Sequence, residues 1–127
     1  MTIIEVLFAI VILSGVMLSM STFGQSFTRA SRNAANVATA SDLATGRLQV
    51  VQSHPTYSTI VSTFHNTTET SAGAANPSMT GYPGFTRTTK AVRSNTGAGD
   101  FVTVTVTITS SLLQRPIAKT AIIAAFQ

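Results

Sequence analysis

The sequence predicts an α+β fold, in which one long N-terminal helix, apolar over its first half, packs by its second half on a short antiparallel β-meander. Three observations predict it. Apolar residues run almost unbroken from Met1 to Leu13 and continue through Val16, Met17, Leu18, Met20 and Phe23. From Phe23 to Val51 a stripe recurs at alternating spacings of four and three, the helical repeat. From Phe101 to Thr109 the period becomes two, with Val and Ile on one face and Thr on the other.

The first 24 residues would span about 36 Å as a helix, at about 1.5 Å per residue, which exceeds a bilayer core of about 30 Å. One carboxylate, Glu5, interrupts this run, and no second charge appears before Arg29. A lone acid in such a segment is costly in hydrocarbon and calls for a partner. The stripe that follows is Phe23, Phe27, Ala30, Ala34, Val37, Ser41, Ala44, Leu48 and Val51, with Arg29, Arg32, Asn33, Asn36, Asp42 and Gln49 off it. The helix is expected to run from about 1 to 53 and to stop at His54-Pro55, because a residue before proline is pushed out of the helical region.

Residues 55–84 read as an irregular Ser- and Thr-rich connection, in which Tyr57, Ile60, Val61 and Phe64 offer one short packed element. Ser71 to Gly84, with its Gly and Pro, reads as surface loop. Phe85 to Arg93 is a candidate strand, joined through Asn95–Asp100 to the alternating run at 101–109, and Ile117 to Phe126 is a third strand. The greasy face of such a meander needs a cover, and the helical stripe is available.

Composition narrows the classes. The chain has 127 residues, enough for one domain after the apolar helix is set aside, and no cysteine, which excludes a disulfide framework and thiolate metal sites. Charged residues are 9% of the chain, far fewer than a soluble surface normally carries. A hydroxyl-rich, charge-poor surface suits a subunit buried by copies of itself. The net charge of +4 arises from few basic residues among fewer acids, without a basic run or interleaved aromatics, so a nucleic-acid role rests on charge alone.

The opening Met1-Thr-Ile-Ile-Glu-Val, with Glu5 inside a long apolar helix, resembles the processed N-terminus of type IV pilins and type II secretion pseudopilins. The resemblance covers roughly the first 25 residues, and the order of helix, variable loop and meander is similar to that of pilins as well. It implies a mature chain that begins at Met1 with a methylated amine, a short basic leader having been removed by a prepilin peptidase. It implies an assembly ion pair between Glu5 and the Met1 amine of a neighbouring subunit. It also implies a zone of partial helix melting, here at Ser14, Gly15 and Gly24, although the proline that often marks that zone is missing. The C-terminal disulfide of many pilins is absent too.

Other residue groups carry weaker chemistry. Asn66-Thr67-Thr68 has the form of a glycosylation acceptor, a triplet that most often stays bare. His54 and His65 lack a carboxylate at ligand spacing and read as a helix-end and a loop histidine. Asp100 stands alone among the late residues, which leaves an acidic calcium loop without ligands. Arg87, Lys90 and Arg93 read as solvated charge on an edge strand that discourages mispairing. No Gly-x-Ser-x-Gly elbow, Ser-x-x-Lys or Walker loop is present, so no enzyme, cofactor or metal is expected.

The expected organisation is a hydrophobic helix at 1–24, serving as membrane anchor before assembly and filament core after it, and a head at 25–127. The head comprises helix 25–53, variable loop 54–84 and antiparallel meander 85–127. The expected function is a structural subunit of a type IV pilus-like filament, a homopolymer built by inner-membrane assembly machinery and displayed outside the cell. Alternatives are a minor pilin or minor pseudopilin, a single-pass anchored binding protein that does not polymerise, and a DNA-uptake or adhesive receptor carried on a pilus.

Overall fold

The computed structural model describes residues 2–71, 77–96 and 99–125. It contains helix α1 (Ile3–Gln52), helix α2 (Ile60–Phe64) and four strands: β1 (Thr67–Thr70), β2 (Phe85–Thr96), β3 (Gly99–Ser110) and β4 (Ile117–Ala124). The strands form one antiparallel sheet in the order β1-β2-β3-β4. The fold is α+β, and helix residues from Ala40 on pack against the sheet. Two compact units divide between Ala35 and Asn36.

Within the unit from Asn36 on, α1 buries Ala40, Leu43, Ala44, Arg47, Leu48 and Val51. Ala44, Leu48 and Val51 are the predicted stripe; Phe23, Phe27 and Val37 are exposed instead. Alanine at 40 and 44 lets the sheet approach closely, and Val102, Val104, Val106 and Ile108 meet the helix as a fully buried row. Each such side chain contributes about 1.5–3 kcal/mol on burial. The alternation of β3 therefore has the face that its sequence assigns, with the Thr residues on the other side. Polar ties fasten the same surfaces: Lys119 Nζ donates to Thr45 Oγ1 at 2.8 Å, and Asn36 Nδ2 donates to the Leu112 carbonyl at 3.3 Å.

α1 stops where proline requires. Ser53 N–H still reaches the Gln49 carbonyl at 2.9 Å, and Pro55 follows. α2 then carries Ile60 and Phe64 into the core, with Tyr57 and Val61 packed against it.

Residues 55–70 are more ordered than their composition predicts, and residues 72–76 of the loop expected over Ser71–Gly84 lie outside the described residues. The former supply α2 and β1, so the meander has a fourth strand, β1 paired to β2 from Thr67↔Thr89 to Thr70↔Thr86. β-branched threonine favours this extended backbone, and Asn66 turns the chain into it with φ at 55°, a left-handed conformation that asparagine tolerates. β1 pairs with β2 only from Thr86 to Thr89, so the edge-strand reading is corrected for Arg87, while Lys90 and Arg93 lie beyond that pairing. Arg87 is buried, Lys90 is exposed, and Arg93 is ion-paired to Asp100. The β2–β3 connection is shorter than the loop expected over Asn95–Asp100, since register continues to Thr96↔Gly99. β4 ends at Ala124, and Phe126, expected in that strand, lies outside the described residues.

Candidate functional site

The segment of α1 up to Ala35 has exposed side chains at nearly every position from Thr2 on. Ile3, Ile4, Val6, Leu7, Phe8, Ile10, Val11, Ile12 and Leu13 are each between 43% and 84% exposed. With Ala9 they surround the helix, and Glu5 is the one charged position among residues 3–13. A helix that is apolar all round is stable in water only when something covers it, whether protein or hydrocarbon. The helix is long and apolar enough to cross a membrane.

Glu5 lies in the first turn and its side chain is exposed; its amide donates to the Thr2 carbonyl at 3.0 Å. A carboxylate there complements the positive end of the helix dipole, which is a reason for an acid at the helix start but not for one surrounded by hydrocarbon. Met1, assigned to processing and to the amine partner, lies outside the described residues.

Ser14, Gly15 and Gly24 lie inside an unbroken helix. Their surroundings hold a series of short internal bonds. Ser14 Oγ donates to the Ile10 carbonyl (2.6 Å), Ser19 Oγ to Gly15 (2.9 Å), Thr22 Oγ1 to Ser19 (2.9 Å), Ser26 Oγ to Phe23 (2.9 Å) and Thr28 Oγ1 to Gly24 (2.9 Å). Hydroxyls satisfied within their own helix can enter apolar surroundings without an orphaned donor. The same bonds compete for helix carbonyls, and both glycine carbonyls are among the acceptors.

The head holds a second polar arrangement, which its sequence does not announce. Arg47 on α1 and Arg87 on β2 converge on Glu69 of β1, with Nη2–Oε1 at 3.3 Å and Nε–Oε2 at 2.6 Å. Arg47 also donates to Thr89 Oγ1 (3.2 Å) and Thr67 Oγ1 (3.3 Å), and its guanidinium lies over the Phe64 ring at 5.0 Å. Arg87 donates to Ser78 Oγ (2.9 Å) and to the Leu43 carbonyl (3.5 Å). A cavity of about 310 Å³ opens beside it, lined in part by Asp42, Gly46, Ser78 and Tyr82. Both guanidiniums are committed to protein acceptors, so the cluster is a tie between helix and sheet. The one signal for it in sequence is Arg47, which falls between Ala44 and Val51 on the helical stripe; the register that sets Glu69 opposite Arg87 appears only in the structure.

Asp100, expected to stand alone, accepts from Arg93 Nε at 2.7 Å and from Arg93 Nη2, and Tyr57 Oη donates to the same carboxylate at 3.1 Å. The Arg93 hydrogen bond leads in holding the Asp100 carboxyl below its ordinary range, with Tyr57 adding to it and desolvation opposing. Desolvation leads in pushing the Tyr57 phenol up, followed by its bond to Asp100. Because the folded carboxyl is depressed, its stabilisation is fully present above the unfolded aspartate value of about 3.9 and is lost as pH falls through the folded value. Asp100→Asn should therefore lower the melting temperature of the head at neutral pH but much less at strongly acid pH. Melting curves of both proteins across pH check this; a difference that grows on acidification contradicts it.

The remaining candidates have ordinary surroundings. His54 Nε2 bonds Thr59 Oγ1 at 2.9 Å and its ring meets Phe64 edge-on at 5.2 Å, while His65 Nδ1 bonds the Ala91 carbonyl. Asn66 is exposed at the start of β1, where its side chain is accessible. Among the described residues no group of three or more His, Cys, Asp or Glu could hold a metal ion. No protein-family model, curated protein or solved structure matches the chain.

Proposed function

We propose that this chain is a structural subunit of a type IV pilin-like filament. Helix α1 holds it in the inner membrane before assembly and then bundles with the same helix of other copies, the head facing outward. The observation that carries this reading is the apolar circumference of residues 3–13, exposed in a chain whose head already has its own filled core. A plain anchor would satisfy the apolar surface but gains nothing from Glu5. Bundling supports both features, because it covers the hydrocarbon and brings cations of other chains to the acid. In this reading the α-amine at Met1 of a neighbour is one such cation.

Glu5→Gln and Glu5→Ala should leave the protein inserted in the membrane with a folded head, and should lower its yield in sheared filaments by about tenfold or more, since a desolvated charge loses its counterpart. Glu5→Lys should be worse, because it opposes two positive charges at one site. Comparing filament and membrane fractions of cells carrying each variant checks this. Wild-type filament yield from Glu5→Ala would remove the role assigned to the acid.

A further inference from the structure

Residues 2–35 contain three ionisable side chains: Glu5, Arg29 and Arg32. All three are exposed, and none has an ion-pair or side-chain hydrogen-bond partner among the described residues. The arginines follow the acid by 24 and 27 positions. That is about 36 and 40 Å along one helix at about 1.5 Å per residue, so a single chain cannot join them. A second copy, displaced lengthwise by that distance, joins them directly.

We propose that Glu5 of one subunit pairs with Arg29 and Arg32 of another that lies parallel to it, about 36–40 Å further along. The inference rests on the filament reading and deepens it by naming the fixed cations and the displacement between copies. Charge complementarity carries it: the segment has one acid near one end, two bases near the other, and no ionisable side chain between them.

The segment has a second exposed face for a further neighbour. Phe23, Phe27, Ala30 and Ala34 recur at spacings of four, three and four on one face, while Ser21, Gln25, Thr28 and Arg32 recur at the same spacings on another. Phe23 and Phe27 are 71% and 66% exposed, and their rings stack at 6.5 Å. These two faces lie on opposite sides of the helix, so the copy that meets Arg29 and Arg32 leaves the Phe-Ala face to a further copy. A carboxylate offers two acceptor oxygens, so a guanidinium and an α-amine from different chains can share it. Parallel copies leave an acid unmet at one end and a base pair at the other, so the contact repeats without closing. An antiparallel pair would meet both needs at once and stop at two copies.

Cysteine cross-linking of the full-length chain separates these geometries, because the chain has no cysteine of its own. In an Ile4→Cys, Thr28→Cys protein the two new thiols stand at the proposed displacement. Oxidation of filaments on cells should give a ladder of dimers, trimers and longer products, absent from either single-cysteine protein. Products that stop at the dimer overturn the parallel arrangement. Monomer alone, from filaments assembled at wild-type yield, overturns the displacement while the filament reading stands. Failure of the wild-type chain to enter filaments overturns both. In parallel, an Arg29→Gln, Arg32→Gln protein should insert normally, keep a folded head and lose filament yield by about tenfold; wild-type yield from it overturns the pairing.

Discussion

Val104→Asp should abolish folding of the head. Val104 is fully buried in the middle of β3, between Ala91 of β2 and Ala121 of β4 in register. Helix residues Ala40 and Ala44, also fully buried, belong to the same core. The new carboxylate would have neither water nor a partner in that apolar row. An unpaired charge there costs several kcal/mol, and domains of this size have about 5–15 kcal/mol to lose. Val104→Ala is the control: it removes volume without adding charge and should cost about 2–3 kcal/mol, leaving a cooperative transition at lower temperature. Circular dichroism melts of heads beginning near residue 28 check both. An unchanged transition for Val104→Asp contradicts the packing of β3 under the helix.

Glu69→Ala should be the most damaging substitution among the polar residues. Its carboxylate is the common acceptor of Arg47 and Arg87, whose side chains are 8% and 4% exposed. Removing it leaves two like charges facing each other in a largely dry interface between α1, β1 and β2. Breaking a buried pair costs about 3–5 kcal/mol, more than the pair contributes against an apolar alternative, since the charges left behind keep their desolvation penalty. Glu69→Gln should lose less, because an amide oxygen still accepts a guanidinium hydrogen bond. Replacing Glu69 by Leu together with Arg47→Met and Arg87→Met should restore much of the loss. Urea denaturation midpoints of the heads measure these differences; a loss below about 1 kcal/mol for Glu69→Ala would mean that the ion pairs behave like surface ones.

These two sites differ in how far their sequence discloses them. The β3 core was legible because a period of two over Phe101–Thr109 permits one buried face, and length and polarity then leave the helix as its cover. The end of α1 was legible from Pro55 for an equally local reason. The Arg47–Glu69–Arg87 tie was not, because it joins residues distant in the chain and its members look like ordinary surface charge. Arg47 follows Ala44 by three positions on the buried stripe, but a long arginine on a stripe also reads as a residue reaching out to water. Thr67–Thr70 is not legible as a strand because both its faces are polar, so alternation of hydrophobicity, the usual strand signal, is silent there. Only its β-branched threonines mark it. The helix up to Ala35 presents the reverse case: its composition alone says that it must be covered, while the identity of the cover depends on other molecules.

Imaging and mass spectrometry of filaments sheared from cells that produce this chain test the central claim most directly. The account predicts thin surface filaments whose protein includes this chain, and their loss when residues 3–13 carry additional charges. Filaments from which the chain is absent, with all of it retained in the membrane fraction, would contradict the account.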